Sequence, residues 1–194
     1  GADIIARRGL RAPYLMYAGR RETGKGTPML CDYLAAFRAR TGRDVRLVLA
    51  GSGPVEAPSE LLPHILDLGY APEEEKRAAM AGALAFAHPS ALESLGIVLL
   101  EAFLAGTPAL VNAWSEVLTW QCRRSGAGLW FRNYPEFEAE LLLMLDQERL
   151  RRRMGEAGRA FVLREYAWDR VLPRFFQALE KPDSAVQPDA EKNR

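Results

Sequence analysis

Short apolar runs alternate along the chain with longer stretches in which apolar positions recur every three or four residues. The short runs are apolar throughout, which is typical of strands covered on both faces of a sheet. They predict strands at Tyr14–Ala18, Val45–Ala50, His64–Leu68, Leu84–Ala87, Ala109–Val111 and Leu129–Phe131. The longer stretches predict helices, most clearly at Thr27–Arg40, Glu73–Gly82 and Ile97–Ala105.

Alternating strands and helices favour right-handed βαβ units and a parallel sheet. We therefore expect an α/β fold with a Rossmann-like parallel sheet of about six strands flanked by helices. The last third predicts extra C-terminal helices at Pro135–Gln147, Glu148–Tyr166 and Trp168–Glu180. We expect one domain over residues 1–180. Residues 181–194 are expected to be a disordered tail, because they are polar and rich in proline.

Composition and charge exclude several classes of protein. The chain has 26 Lys and Arg against 25 Asp and Glu, a net charge of +1, so no nucleic-acid partner is expected. No apolar run reaches the roughly 18 residues that a membrane-spanning helix requires. Cys31 and Cys122 lack metal-ligand spacing, and we expect two reduced thiols in a cytoplasmic protein.

A glycine-containing loop, Gly19–Gly26, follows the first predicted strand. Its backbone N–H groups and the side chains of Arg20 and Lys25 can approach a phosphate there. The spacing nearly matches a P-loop, but glycine stands where that motif needs a hydroxyl for magnesium. A polar loop with solvated cations is the alternative. After the second strand, Gly51–Pro54 predicts a tight turn rather than a dinucleotide fingerprint, which needs a third glycine.

The segment 89–106, PSALESLGIVLLEAFLAG, carries most of the chemical information. Glu93 precedes an apolar helix, and Glu101 lies inside it eight residues later. Eight helical residues rise about 12 Å, roughly the distance between the two ends of a nucleoside-diphosphate sugar. The helix N-terminus between them offers free N–H groups that suit a diphosphate. The alternative makes Glu93 a helix-start acid and places Glu101 in a structural ion pair with a basic residue.

Taken together, these segments resemble the carboxyl-terminal half of the retaining glycosyltransferases of family four, which have two Rossmann-like domains facing across a cleft. The resemblance runs from about Tyr14 to Glu180. Each motif alone is weak, but five in the family's order are specific. They are Tyr17-Ala18-Gly19-Arg20 with Lys25-Gly26, Ala50-Gly51-Ser52-Gly53-Pro54, Leu68-Gly69-Tyr70, the E-x7-E pair Glu93 and Glu101, and Ala105-Gly106-Thr107-Pro108.

The resemblance implies roles for these residues. Arg20 and Lys25 would bind the donor diphosphate and stabilise the leaving group, and Glu93 would contact the donor sugar; these three are the candidate catalytic residues. Glu101 would bind the ribose hydroxyls. The other candidate donor-binding residues are Gly19, Tyr70, Ser94, Leu95, Gly96 and Ile97. The donor would be a UDP-, GDP- or ADP-sugar, and neither a metal nor a further cofactor would be needed.

The sequence departs from the family at three places. Ser94 and Leu95 replace the glycine and aromatic residue that often follow the first glutamate, and Trp114 replaces small residues before the next helix. The third departure is the absent N-terminal acceptor domain, which often supplies a histidine near the reacting carbon. Of the two histidines, His88 is a candidate to line the donor cleft, and His64 is expected to be structural.

We therefore expect the donor-binding half of a retaining glycosyltransferase that acts on an unknown acceptor. This chain alone is expected to bind the donor weakly and to transfer no sugar. Its partners would be the nucleoside-diphosphate sugar and the missing N-terminal domain, through which it could contact the inner face of a membrane. A nonhydrolysing sugar-nucleotide epimerase and a non-catalytic nucleotide-sugar-binding module are the alternatives.

Overall fold

The computed structural model describes residues 13–180, and within them six parallel strands form one sheet. The spatial order is β3-β2-β1-β4-β5-β6, with every neighbouring pair parallel. The strands are β1 (Tyr14–Ala18), β2 (Arg46–Ala50), β3 (Ile65–Asp67), β4 (Ala85–His88), β5 (Ala109–Asn112) and β6 (Gly128–Phe131). This is the Rossmann order, whose switch point between β1 and β4 opens a crevice at the carboxyl ends of the strands.

Helices flank the sheet and continue after it. They are α1 (Thr27–Thr41), α2 (Glu73–Ala81), α3 (Ile97–Leu104), α4 (Glu116–Ser125), α5 (Tyr134–Asp146), α6 (Glu148–Glu165) and α7 (Trp168–Glu180). The predicted Rossmann-like sheet with extra C-terminal helices is confirmed. The apolar spacing does not predict helix α4, which the structure contains. The predicted third strand begins at His64, but His64 lies in a 3-10 turn that precedes β3. The predicted tail, residues 181–194, lies outside the described residues.

Side chains of successive strand residues enter two apolar layers, one on each face of the sheet. In β1, Met16 packs into one layer and Leu15 into the other, and both are fully buried. The first layer includes Phe103 from α3, and the second includes Phe37 from α1. Because both faces are covered, the strands contain no alternation of polar and apolar residues.

Helix α1 begins and ends at glycines. Gly26, at a φ of +73°, precedes it, and Gly42, at +68°, follows it and donates its backbone N–H to the Arg38 carbonyl. The start of α1 is therefore fixed directly after the loop that leaves β1, which places that loop at the carboxyl edge of the sheet. Between residues 13 and 180, no helix is both long enough and apolar enough to cross a membrane.

Candidate functional site

The loops that leave β1, β2 and β3 surround a cleft of about 300 Å³ at the carboxyl edge of the sheet. The side chain of Tyr70, which follows β3, is 96% exposed beside it. Two residues of α2, Glu73 and Lys76, close another side. Of the candidate catalytic and donor-binding residues, Gly19, Arg20 and Tyr70 line this cleft.

Two loops approach each other so closely that glycine is required. Gly51 has a φ of +124°, and a Cβ built there would lie 2.1 Å from the carbonyl oxygen of Gly19. The Gly51 N–H donates to the Gly69 carbonyl at 2.6 Å, which joins a third loop to the pair. The floor of the cleft is therefore made of backbone rather than of side chains.

The two adjacent arginines of the first loop have different environments. Arg20 is exposed, with its Nη2 3.6 Å from Glu22 Oε1. Arg21, which sequence reasoning missed, is buried, and its Nε and Nη2 donate to the Gly53 carbonyl at 2.9 and 2.6 Å. Arg21 Nη1 also donates to Asp67 Oδ1 at 2.9 Å. Arg21 thus ties the loops after β1 and β2 to the end of β3, whereas Arg20 lines the cleft.

Lys25 and Glu93 form an ion pair between the loops after β1 and β4, with Lys25 Nζ 2.7 Å from Glu93 Oε1. The Glu93 side chain is only 14% exposed. Burial, the largest influence, raises the pKa of Glu93, but the hydrogen bonds from Lys25 and Ser90 and the nearby charges of His88 and Lys25 together hold that pKa below its usual value. Two of the three candidate catalytic residues are therefore in contact, and the third, Arg20, lies on the neighbouring cleft.

The N-terminus of α3 follows Glu93 directly. Gly96 precedes the helix at a φ of +68°, and a Cβ there would lie 2.7 Å from Leu118 Cδ2. Ser94, Leu95 and Ile97 are exposed around this turn, outside the lining of the cleft. The first N–H groups of an α-helix have no partner within the helix, so this end can bind an anion.

Glu101 is held by a lysine that the sequence analysis did not single out. Lys76 Nζ lies 2.9 Å from Glu101 Oε2 and 3.0 Å from Glu73 Oε2. Burial lowers the pKa of Lys76, but the hydrogen bonds to Glu101 and Glu73 outweigh it and raise the pKa above its usual value. Glu101 therefore pairs with a basic residue, Lys76, which itself lines the cleft. The Glu101 side chain nevertheless remains 33% exposed. It can therefore still accept a ligand hydroxyl.

The two histidines of the chain lie in different places, and only one of them is near the site. His88 is the last residue of β4 and lies against Glu93, at the carboxyl ends of the strands. His64 directly precedes β3 and therefore lies at the amino ends of the strands. Within the part of the chain that the structure describes, no group of three or more His, Cys, Asp or Glu could hold a metal ion.

The chain is similar to known proteins in sequence and in fold. A family model described as "Glycosyl transferases group 1" matches residues 5–161. A GDP-mannose-dependent alpha-(1-6)-phosphatidylinositol dimannoside mannosyltransferase of Mycobacterium tuberculosis is 34% identical over 174 residues, covering 85% of this chain and 43% of that protein. A phosphatidyl-myo-inositol mannosyltransferase of Mycobacterium leprae is 31% identical over 185 residues, covering 89% of this chain and 48% of that protein. The chain thus spans about half the length of these relatives.

Solved structures share the fold. The Anabaena protein HepE, solved with UDP and glucose, superposes with a TM-score of 0.78 at 16% identity, over 93% of this chain and 52% of that one. Sucrose-phosphate synthase from Thermosynechococcus elongatus superposes with a TM-score of 0.75 at 22% identity, over 96% of this chain and 50% of that one. Because the family model covers most of the chain and the mannosyltransferases match along nearly all of it, the chain belongs to the group 1 glycosyl transferases.

Proposed function

We propose that this chain is the donor-binding half of a retaining glycosyltransferase that uses a nucleoside-diphosphate sugar and no metal. One observation carries the proposal. The N-terminus of α3 begins next to one lysine–glutamate pair, Lys25 with Glu93, and the helix carries the glutamate of a second pair, Lys76 with Glu101. Lys76 lines the cleft, and the Lys25–Glu93 pair joins the loops after β1 and β4, at the switch point of the sheet where such folds bind nucleotides.

The diphosphate would lie over the N-terminus of α3. There the free N–H groups of the first turn, with the Arg20 and Lys25 side chains, would neutralise the charge that develops on the departing diphosphate. These groups would do the work that a divalent cation does in metal-dependent transferases. Glu93, which is paired with Lys25, would accept hydrogen bonds from the hydroxyl groups of the sugar.

The nucleoside would occupy the cleft itself. Glu101 would accept hydrogen bonds from the ribose hydroxyls, and Tyr70 would lie against the base. Glu73 adds a carboxylate to the cleft lining. Guanine presents two neighbouring donors, N1–H and the N2 amine, which one carboxylate can accept together.

We further propose that the donor is GDP-mannose. The Glu73 carboxylate supports guanine, and the relative from M. tuberculosis is named as GDP-mannose-dependent. The acceptor would be bound by an N-terminal domain outside this chain, at the cytoplasmic face of a membrane. The 194-residue chain is therefore expected to bind the donor and to transfer no sugar.

Calorimetry on the 194-residue chain tests the proposal, with GDP-mannose, UDP-glucose, UDP-N-acetylglucosamine and ADP-glucose as ligands. We expect GDP-mannose to bind roughly tenfold more tightly than the others, the size of one hydrogen bond to a charged group. Glu73→Gln should remove most of that preference. The control is Asp146→Ala, which removes an ion pair with Arg43 at the other edge of the sheet.

Each result has a distinct meaning for this proposal. Absence of binding by every nucleoside-diphosphate sugar would refute donor binding altogether. Preference for a uridine donor would refute the guanine assignment alone. Sugar transfer by the 194-residue chain without another domain would refute its assignment as half of the catalytic site.

A further inference from the structure

His88 is a buried histidine at the donor site whose ring has no hydrogen bond. It ends β4, and its side chain is 5% exposed. The ring packs edge-on against Phe86, with the centroids 5.9 Å apart and an interplanar angle of 81°. Among the side chains of residues 13–180, His88 alone has two buried polar atoms without a partner, Nδ1 and Nε2. Buried polar atoms are nearly always hydrogen-bonded, and exceptions call for an explanation.

The carboxylate of Glu93 lies beside this ring. His88 Nε2 lies 3.8 Å from Glu93 Oε1, which is too long for a hydrogen bond. The same oxygen accepts from Lys25 Nζ at 2.7 Å. Lys25 is therefore already hydrogen-bonded to the carboxylate oxygen that lies next to the imidazole.

The ring is in the right protonation state to take that position. Burial, opposed by Glu93 and assisted by Lys25, lowers the pKa of His88 to about 4. The imidazole is therefore neutral near pH 7, with one N–H donor and one acceptor nitrogen. As the Nε2–H tautomer it would donate to Glu93 without bringing a second charge into the cluster.

A donor diphosphate would compete for Lys25. The Glu93 carboxylate is largely buried, so if Lys25 turned towards the phosphates the carboxylate would keep the Ser90 hydrogen bond but lose its charged partner, which favours a further donor. We propose that His88 is a positioning residue that donates its Nε2–H to Glu93 when the diphosphate draws Lys25 away, and so keeps the carboxylate aimed at the sugar. The inference rests on the proposed function, since it assigns a partner within the same site.

The first test needs no nucleotide. Nitrogen-15 NMR of the 194-residue chain observes only two imidazoles, and His64 at the opposite edge is the internal control. Lys25→Met removes the competing cation while keeping an unbranched side chain. We expect His88 to change to a hydrogen-bonded Nε2–H tautomer whose proton exchanges slowly, and His64 to stay unchanged. Unchanged His88 signals in this variant would overturn the proposal.

The second test adds GDP as the probe. In the wild-type chain, GDP should convert His88 to the same hydrogen-bonded Nε2–H tautomer that Lys25→Met is expected to produce. His88→Phe keeps the ring contact with Phe86 but removes both nitrogens, so it should melt no lower than the wild type while binding GDP about tenfold more weakly. His88→Gln retains an N–H donor and should bind within about threefold of the wild type.

The outcomes separate the two proposals. Wild-type affinity in His88→Phe, or an equal loss in His88→Gln, would overturn the role of His88. If GDP does not bind the wild-type chain but Lys25→Met gives the Nε2–H signature, the donor-binding function fails and the pairing of His88 with Glu93 is upheld.

Discussion

Lys76 and Glu101 join α2 to α3 through an ion pair whose atoms Nζ and Oε2 are 2.9 Å apart. If Glu101 binds the ribose of a donor, its contribution depends on the sugar hydroxyls. We expect the wild-type chain to bind GDP about tenfold more tightly than 2′-deoxy-GDP or 3′-deoxy-GDP, whichever hydroxyl Glu101 accepts. Glu101→Ala should bind GDP and that deoxy analogue equally, as measured by calorimetry.

Lys76→Met provides the matched comparison for this test. It removes the cation that orients Glu101 but keeps the carboxylate, so it should weaken GDP binding while preserving part of the preference for the hydroxyl. If Glu101→Ala retained the full preference, the carboxylate would have a structural role only.

Lys25 should act on the phosphates and not on the nucleoside. Lys25→Ala removes one charged hydrogen-bond donor, and we expect GDP affinity to fall about 10- to 100-fold. Guanosine, which has no phosphate, should bind the variant as it binds the wild type. Calorimetric titrations with both ligands measure the difference, and an equal loss for guanosine would show that the substitution damages the fold of the loop.

Gly51 should tolerate no side chain. Gly51→Ala would place a Cβ 2.1 Å from the Gly19 carbonyl oxygen at a φ of +124°. Combining the cost of the backbone conformation with that of overpacking, we expect a loss of roughly 3 kcal/mol in unfolding free energy. Gly42→Ala is the control, because its φ is also positive but nothing lies within 4 Å. Urea titrations that gave equal losses for both variants would refute the close approach of the loops.

Glu140 on α5 should make stability depend on pH. Burial, with a smaller contribution from Glu136, raises the pKa of Glu140 from 4.5 to about 7. Because the folded chain holds this proton more tightly than the unfolded chain, the stabilisation is complete below about pH 4.5 and is lost as pH rises through about 7. After allowance for solvent screening, we expect a loss of about 1–2 kcal/mol between about pH 5 and pH 8.

The variant Glu140→Gln tests this assignment, because an amide has no proton to lose. Unfolding free energies measured across the same pH range should decline less steeply than those of the wild type. Glu156→Gln, at an exposed position of α6, serves as control and should follow the wild type. An unchanged slope in Glu140→Gln would place the titrating group elsewhere.

The fold was largely predictable because most strands are apolar throughout. The prediction for β1 matches its bounds, and that for β2 differs by one residue. The apolar spacing does not predict helix α4 because three of its buried positions, Thr119, Gln121 and Ser125, are polar. Thr119 donates its hydroxyl to the Ser115 carbonyl, and Gln121 donates to the Leu95 carbonyl. Hydrogen bonding makes their burial favourable, and the apolar periodicity of the helix is correspondingly weak.

The sequence predicted those parts of the site whose geometry depends on neighbouring residues. It did not predict contacts between residues that lie far apart in the sequence. Glu93 and Glu101 stand on either side of a helix start, which the sequence reveals. Whether Arg20 or Arg21 is buried depends on Gly53 and Asp67, which lie 32 and 46 residues beyond Arg21. Lys76 likewise meets Glu101 from another helix, 25 residues away in the sequence. Such partners are known only once the sheet order is known.

The ion pairs of the site have a kinetic consequence. Arg20, Lys25 and Lys76 each lie within 3.6 Å of a carboxylate, those of Glu22, Glu93 and Glu101. A site whose cations are already neutralised attracts an incoming dianion weakly at long range. Association should therefore proceed at the rate of an unsteered encounter and change little with ionic strength. Discrimination between donors would then appear in their residence times, which stopped-flow measurements can follow.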